Sequence, residues 1–169
     1  MIYIDFDGVI LDTELLLFEE WRKNPDRFSL PESVKIEYMN NSNWKYIIEN
    51  SEVISNSIYY LKHSDPTKTC ILTKIHSMEN EGRAKLDWKK KNNIKQPMIL
   101  VPYYCKKSEV VDPRGNILID DCLRNLDDWI EQGGLGIFFD MDDDNYDSWQ
   151  QPNIKQYKKV NNLKSIIKD

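Results

Sequence analysis

The sequence predicts a doubly wound α/β fold, in which helices cover both faces of a parallel sheet of five strands. Short runs that are apolar at every position recur along the chain, and segments with helical spacing lie between them. Such runs are typical of parallel sheets, because both faces of the sheet are buried. Alternation of strands and helices is the order of doubly wound folds. The five runs are MIYI at 1–4, CILT at 70–73, MILV at 98–101, NILI at 116–119 and GIFF at 136–139.

Helices are predicted between these strands. Segments 52–63, 77–92 and 123–132 carry apolar residues at helical spacing, and the third stops at Gly133, a residue type that commonly ends helices. A final helix is expected over 162–168.

One interval, 13–50, interrupts the alternation because it contains no run of strand type. ELLLFEEWRKN reads as an amphipathic helix, and LPESVKIEYMNN and NWKYIIEN read as two further helices. Pro25 and Pro31 separate them. We therefore predict one domain over 1–169, with a small helical cap inserted at 13–50 after the first strand.

Composition and charge exclude several classes of protein. The 169 residues carry a net charge of −5, which disfavours binding to a nucleic-acid polymer. No apolar stretch approaches the roughly 18 residues that cross a bilayer, so no membrane association is expected. The three cysteines form no C-x-x-C pair, which favours a reducing, cytoplasmic setting. The oligomeric state stays open.

Polar residues follow three of the predicted strands. Asp5 and Asp7 come after the first run, Thr73 ends the second, and Asp120 and Asp121 follow the fourth. The carboxyl ends of parallel strands meet at one edge of the sheet, where ligands bind. Carboxylates in so apolar a setting need a compensating cation or hydrogen-bond donors. Converging carboxylates favour a hard cation, and Mg²⁺ is the usual choice where phosphates are handled.

These motifs resemble those of the haloacid dehalogenase-like hydrolases, which have a Rossmann-like fold. DFDGVILDT resembles their first motif, CILT their second, and ILIDD their fourth, in the right order along residues 1–140. The lysine of the third motif is matched by Lys106 or Lys107 in YCKKSEVV. The following Ser108 favours Lys107, but the choice stays open at this point.

The resemblance implies a Mg²⁺-dependent phosphomonoester hydrolase. Asp5 would attack phosphorus to form an aspartyl-phosphate, and Asp7 would serve as general acid and then as general base. An acid at position 7 favours phosphoester over dehalogenase chemistry, because a halide leaves without a proton. Thr73 and a lysine would bind the phosphoryl oxygens. The implied metal ligands are Asp5, Asp7 through its backbone carbonyl, Asp120 and Asp121; Gly8, Thr73, Lys74, Lys106 and Lys107 are the implied substrate-binding residues.

The stretch IDDCLRNLDDWIEQGGLGIFF resembles the fourth-motif region of the 5'(3')-deoxyribonucleotidase branch, so a nucleoside monophosphate is the favoured substrate. Many members of that branch carry Arg where this chain has Cys122, and Arg124 would compensate only by turning toward the site. The alternatives are a phosphatase for a sugar phosphate or another small metabolite, and a catalytically weak protein that binds a phosphorylated ligand. The matching residues are Asn125, Trp129, Gly133 and Gly134.

The aromatic residues of the inserted segment leave two alternatives open. One of them would stack on a nucleobase, or they would form the core of the insertion, which is the commoner role. Residues 11–18 are as well placed to contact the substrate. The aromatic residues are Trp21, Phe28, Tyr38, Trp44 and Tyr46.

Three other signals are interpreted as surface features. The lysines of RAKLDWKKKNN are expected on a solvated helix face. DMDDDNYD at 140–147 lacks the glycine and glutamate of an EF-hand loop and is interpreted as a solvated acidic loop. His76 follows Thr73 closely enough to reach a phosphate, but a surface position is the commoner outcome for such a residue.

Overall fold

The computed structural model describes residues 1–141 and 157–166. Within them, six strands form one parallel sheet in the order β3-β2-β1-β4-β5-β6. The change of direction on either side of β1 makes this a doubly wound sheet, as predicted. The strands are β1 (Ile2–Ile4), β2 (Thr69–Ile75), β3 (Met98–Pro102), β4 (Ile117–Asp120), β5 (Leu135–Phe139) and β6 (Lys158–Val160).

Helices connect the strands in the same described part of the chain. A 3₁₀ turn at Ile54–Asn56 and a π turn at Met78–Gly82 precede two of them, and a second 3₁₀ turn spans Lys164–Ile166. The helices are α1 (Thr13–Leu17), α2 (Glu19–Arg22), α3 (Glu32–Asn41), α4 (Trp44–Asn50), α5 (Ser57–His63), α6 (Arg83–Lys91), α7 (Lys107–Val110) and α8 (Leu123–Glu131).

The two faces of the sheet bury separate apolar layers. Successive side chains of a strand point to opposite faces, so Ile4 belongs to one layer and Tyr3 to the other. The first layer includes Phe6 and Trp88, whose rings meet edge to face with centroids 5.0 Å apart. The second includes Trp129 of α8. Burial on both faces explains why the five predicted strands contain continuous apolar runs.

The position of β1 determines where the site forms. Ile2 is paired with Thr69 of β2 on one side and with Ile117 of β4 on the other. The backbone N–H of Asp5 continues the ladder by donating to the carbonyl of Ile119 at 2.9 Å. The residues that follow β1, β2 and β4 therefore reach the same edge of the sheet.

The predicted five strands are all present, but the sheet has a sixth. The missed strand β6 is short and largely exposed at the edge of the sheet, and its sequence, KKV, carries no apolar run. The helices predicted at 52–63, 77–92 and 123–132 are present, and the third ends before Gly133 at a φ of 89°. The helix predicted over 162–168 is a short 3₁₀ turn within the described residues. Most of the acidic stretch at 140–147 lies outside them.

The inserted segment 13–50 is helical, as predicted, and contains α1 to α4. Helices α1 and α4 anchor it in the core, where Leu17 is 3% exposed and Trp44 1% exposed. By contrast, Phe28 is 74% exposed and Tyr46 is 56% exposed. Within the described residues, no helix is both long and apolar enough to span a bilayer.

Candidate active site

Three buried carboxylates meet at the carboxyl ends of β1 and β4. Asp5, Asp120 and Asp121 each offer an oxygen, and these atoms lie within 4.8 Å of one another. Two of the carboxylates already receive backbone hydrogen bonds: Phe6 N–H donates to Asp5 Oδ1 and Cys122 N–H to Asp120 Oδ1, both at 2.8 Å. The structure thus brings together three acids that follow two separate strands in the sequence.

Lys107 is the lysine that joins these acids. Its Nζ lies 2.6 Å from Asp120 Oδ2 and 2.9 Å from Asp5 Oδ1, and its side chain is 1% exposed. The side chain of Lys106 is 59% exposed and pairs with Asp128 at 2.5 Å. The side chain of Lys107 therefore points toward the acids, whereas the side chain of Lys106 points to the surface. We call Asp5, Lys107, Asp120 and Asp121 the Lys107 cluster.

Burial dominates the electrostatics of this cluster. It raises the pKa of Asp5 to about 7, although the charge of Lys107 acts in the opposite direction. Burial also raises the pKa of Asp121 well above its usual range, and the neighbouring charge of Asp120 adds to the effect. For Lys107, burial lowers the pKa, but the charges of Asp120 and Asp5 outweigh it and raise the pKa on balance. The cluster holds more negative charge than one lysine compensates.

The donor set fits a hard divalent cation. The three acids supply oxygen ligands at one point, and a bound cation would stabilise the charged forms of Asp5 and Asp121, whose pKa values are raised mainly by burial. Asn125 Nδ2 also donates to Asp120, at 3.1 Å from Oδ2, which fixes the orientation of that carboxylate. Asn125 was noted in the sequence only through its resemblance to the nucleotidase branch.

Gly8 leaves room for Asp121. Its φ is +70°, and a Cβ at this position would lie 2.0 Å from Asp121 Oδ2. Both the left-handed backbone and the close approach of the carboxylate therefore require glycine here. The turn after β1 and the second acid after β4 are packed directly against each other.

Asp7 faces a different set of groups from Asp5. Its Oδ1 accepts a hydrogen bond from Thr13 Oγ1 at 2.7 Å, and its Oδ2 accepts one from Lys85 Nζ at 2.5 Å. Thr73 Oγ1 lies 3.4 Å from the same Oδ2. The side chain of Asp7 is 26% exposed, so it is the more accessible of the two motif-one acids.

Lys85 corrects the prediction that the lysines of RAKLDWKKKNN form a solvated face. Its side chain is 0% exposed, and its Nζ contacts Glu81 Oε1 at 2.7 Å, the carbonyl of Lys74 at 2.9 Å and Thr73 Oγ1 at 3.0 Å, besides Asp7. Burial lowers its pKa, but the charges of Asp7 and Glu81 raise it on balance. We call Asp7, Thr73, Glu81 and Lys85 the Lys85 cluster.

Glu81 connects Lys85 to the end of β2. While its Oε1 receives Lys85, its Oε2 accepts the backbone N–H of His76 at 2.7 Å and lies 3.2 Å from His76 Nδ1. Burial raises the pKa of Glu81, but the charge of Lys85 and the hydrogen bonds of His76 lower it on balance. The His76 ring stacks on Tyr103 with centroids 5.1 Å apart. His76 is therefore part of this packed network and not a solvated surface residue.

A cavity of about 250 Å³ lies beside Lys107. Arg124 lines it, so this arginine is near the site even though Cys122 occupies the position directly after the two acids. Burial raises the pKa of the Cys122 thiol to about 11, and the charge of Asp120 adds to this, so the thiol is held in its unreactive form. The other lining residues are Lys74, Lys106, Asn125, Asp127, Asp128 and Glu131.

Comparison with known proteins gives a likeness in structure only. No family model matches the chain, and no curated protein matches its sequence. A D,D-heptose 1,7-bisphosphate phosphatase from Burkholderia thailandensis superimposes with a TM-score of 0.55 at 11% identity, over 98% of this chain and 94% of that one.

Two further solved structures give the same result. A Had-superfamily hydrolase from Ehrlichia chaffeensis has a TM-score of 0.53 at 14% identity and covers 98% of this chain and 92% of its own. A dehalogenase has a TM-score of 0.58 at 11% identity, with 99% and 97% covered. The chain therefore has the fold of haloacid dehalogenase-like hydrolases, which confirms the sequence resemblance at the level of the fold.

Proposed function

We propose that this protein is a Mg²⁺-dependent phosphomonoester hydrolase that acts through an aspartyl-phosphate on Asp5. The observation that carries the proposal is the division of the two motif-one acids. Asp5 lies in a buried cluster with Lys107 and two further acids, whereas Asp7 faces Thr13 and Lys85. We therefore assign Asp5 to attack and Asp7 to proton transfer.

Asp5 has the surroundings that a nucleophile needs. Phe6 N–H and Lys107 both bind Oδ1, and Oδ2 receives no hydrogen bond from any residue in the described ranges. We assign Oδ2 to attack on phosphorus. We assign Lys107 to the transferred phosphoryl group, where its charge would lower the repulsion between two anions.

Asp7 moves the protons in the proposed reaction. As the bond from phosphorus to the leaving oxygen breaks, Asp7 donates its proton to that oxygen, and it later accepts a proton from the attacking water. Thr73, which neighbours Asp7, is assigned to the phosphoryl oxygens. Mg²⁺, held by Asp5, Asp120 and Asp121 with the Asp7 carbonyl, would offset the negative charge of the phosphate.

A nucleoside monophosphate is the first substrate class we propose. The cavity beside Lys107 is lined by both cations and acids, and Lys106 is paired with one of those acids, Asp128. We therefore assign Arg124 and Lys74 to an anionic ligand. Phe28 and Tyr46 of segment 13–50 are exposed and available for stacking on a base, if that segment serves as a cap over the site. The three free cysteines fit a cytoplasmic protein.

A sugar phosphate is the second candidate. It is favoured by the similarity in fold to the heptose bisphosphate phosphatase. Binding of a phosphorylated ligand without turnover is a third, and Asp7 argues against it, because a binding protein has no need of a second acid held by Thr13 and Lys85.

The test is a panel of phosphate esters assayed with and without Mg²⁺. Turnover that requires Mg²⁺ and falls at least about 10³-fold in Asp5→Asn is expected, because the amide is a far weaker nucleophile. Asp87→Asn, an exposed acid on α6, is the matched control. Absence of phosphate release from every ester would overturn the proposal, and the ratio of nucleotide to sugar phosphate turnover decides the substrate class.

A further inference from the structure

We propose that Lys85 is a positioning residue that fixes the Asp7 carboxylate and the Thr73 hydroxyl in the orientation needed for proton transfer to the leaving oxygen. The inference rests on the proposed function, since it assigns a partner to the acid of that reaction. Lys85 is on α6, outside the four motifs of the sequence resemblance, and it contacts two motif residues directly.

The first argument is the cost of placing an ammonium group in this position. The Lys85 side chain is completely buried, and an unpaired charge there would cost several kcal/mol. Two aromatic rings also lie close to the side chain, with the Phe6 and Trp44 centroids 5.4 and 5.5 Å from Nζ. A methionine would satisfy such packing. The ammonium is therefore explained by the polar atoms it binds.

The second argument is the arrangement of those atoms. Four oxygens lie within 3.0 Å of Nζ, two from charged carboxylates, one from a hydroxyl and one from a backbone carbonyl. Asp7 is held on both sides, at Oδ1 by Thr13 and at Oδ2 by Lys85. A carboxylate fixed at both oxygens keeps one rotamer, which is what a group must do to meet a leaving oxygen at hydrogen-bond distance.

The third argument is that Lys85 is itself held. Glu81 lies one helical turn before it, and its second oxygen binds the backbone N–H of His76 at the end of β2. The chain of contacts thus runs from the strand end through Glu81 and Lys85 to Asp7. Glu81 is the counter-ion that lets Lys85 stay charged when Asp7 carries a proton.

The effect on chemistry depends on the leaving group. As the bond from phosphorus to the ester oxygen breaks and Asp5 bonds to phosphorus, an alkoxide must take a proton from Asp7, whereas a nitrophenolate leaves as the anion. Loss of Lys85 should therefore lower kcat/KM, which reports the steps up to formation of the aspartyl-phosphate, roughly 10²-fold for an alkyl phosphate and less than about tenfold for p-nitrophenyl phosphate. A general structural defect would lower both equally.

The experiment compares Lys85→Met with wild type on these two esters in the presence of Mg²⁺. Lys90→Met, an exposed lysine on the same helix, is the control and should retain both activities. Because Lys85→Met leaves Glu81 buried without its counter-ion, the double variant Lys85→Met/Glu81→Gln is made as well. Thermal unfolding verifies that each variant folds.

Crystal structures of both variants give a readout that needs no turnover. We expect the Asp7 carboxylate to leave its position between Thr13 and residue 85. Equal losses on the two esters, or an unmoved Asp7 carboxylate, would overturn the inference. If wild type hydrolyses neither ester, the proposed function fails separately, and the position of Asp7 in the variant structures still decides whether Lys85 positions it.

Discussion

The Lys107 cluster and the Lys85 cluster are two solutions to the same problem of burying an ammonium at a sheet edge. Each lysine is at most 1% exposed in its side chain and lies between two carboxylates. They differ in the carboxylates: Lys107 joins two acids from strand ends, whereas Lys85 joins one such acid and Glu81 of its own helical region.

The two clusters also differ in the negative charge that remains once the lysine of each is counted against its acids. The Lys107 cluster has three acids for one lysine, and the pKa values of Asp5 and Asp121 are raised by burial. The Lys85 cluster has two acids for one lysine, and the pKa of Glu81 is lowered on balance. The first arrangement suits a site that takes up a cation and an anionic substrate. The second suits a group that must keep one orientation.

Lys107→Met should have the largest effect on stability. It leaves Asp5 and Asp120 buried without their ammonium, which costs about 3–5 kcal/mol when one partner of a buried pair is removed. Urea unfolding measures the change. A loss below about 1 kcal/mol would show that the two acids do not depend on Lys107.

Gly8→Ala tests the contact between the turn after β1 and Asp121. A left-handed φ costs an alanine roughly 1–2 kcal/mol, and the new methyl group must also displace the Asp121 carboxylate. Gly115→Ala is a matched control, since its φ is +71° and no atom lies within 4 Å of an added Cβ. Mg²⁺ affinity, measured by calorimetry, should fall in Gly8→Ala only. Equal affinity in the two variants would contradict a role of Asp121 in binding.

The two clusters should respond differently to pH. Asp5 has a pKa of about 7 in the folded protein and 3.8 ordinarily, so it stabilises the metal-free fold below pH 4, and this contribution is lost as the pH rises toward 7. The slope is up to about 1.4 kcal/mol per pH unit for each such group. Asp121, and Glu14, whose pKa is raised by burial and by Asp7, act in the same direction.

The Lys85 cluster has no such slope between about pH 5 and 7. The lowered pKa of Glu81 and the raised pKa of Lys85 give a contribution that is constant between about pH 5 and 10 and is lost on either side. Thermal unfolding from pH 4 to 7 should therefore show that the stability of the protein declines. Either Mg²⁺ or the substitution Asp121→Asn should reduce this decline. If stability declines by the same amount with saturating Mg²⁺, these acids do not bind the metal.

Lys106→Met should have the smallest effect. Its ion pair with Asp128 is at the surface, where solvent screening leaves such pairs little effect on stability. Stability in urea should hardly change, while KM rises if Lys106 binds substrate. A stability loss equal to that of Lys107→Met would contradict the assignment of Lys106 to the surface and of Lys107 to the buried cluster.

The acids of the site were predictable because a parallel sheet brings the carboxyl ends of its strands to one edge. Asp5, Asp120 and Asp121 follow apolar runs, and the runs themselves identify the strands. The choice between Lys106 and Lys107 was not decidable in the sequence, because it depends on where α7 begins and which side chain then turns inward.

Lys85 was missed because it lies among other charged residues. Its spacing did carry a signal: Glu81, Lys85 and Trp88 recur at intervals of four and three, and Trp88 marks the buried face of α6. An i, i+4 pair of opposite charges on the face of a buried tryptophan indicates a buried pair. Strand β6 had no comparable signal, since two of its three residues are lysines.

The central place of β1 has a consequence for how the protein folds. Both partners of β1 are far away in sequence, because Ile2 pairs with Thr69 and with Ile117. Such pairings carry a large loop-closure entropy and form slowly. The acids after β1 and β4 therefore come together late in folding. A chain emerging from the ribosome has no complete site until β4 has been synthesised and has paired with β1.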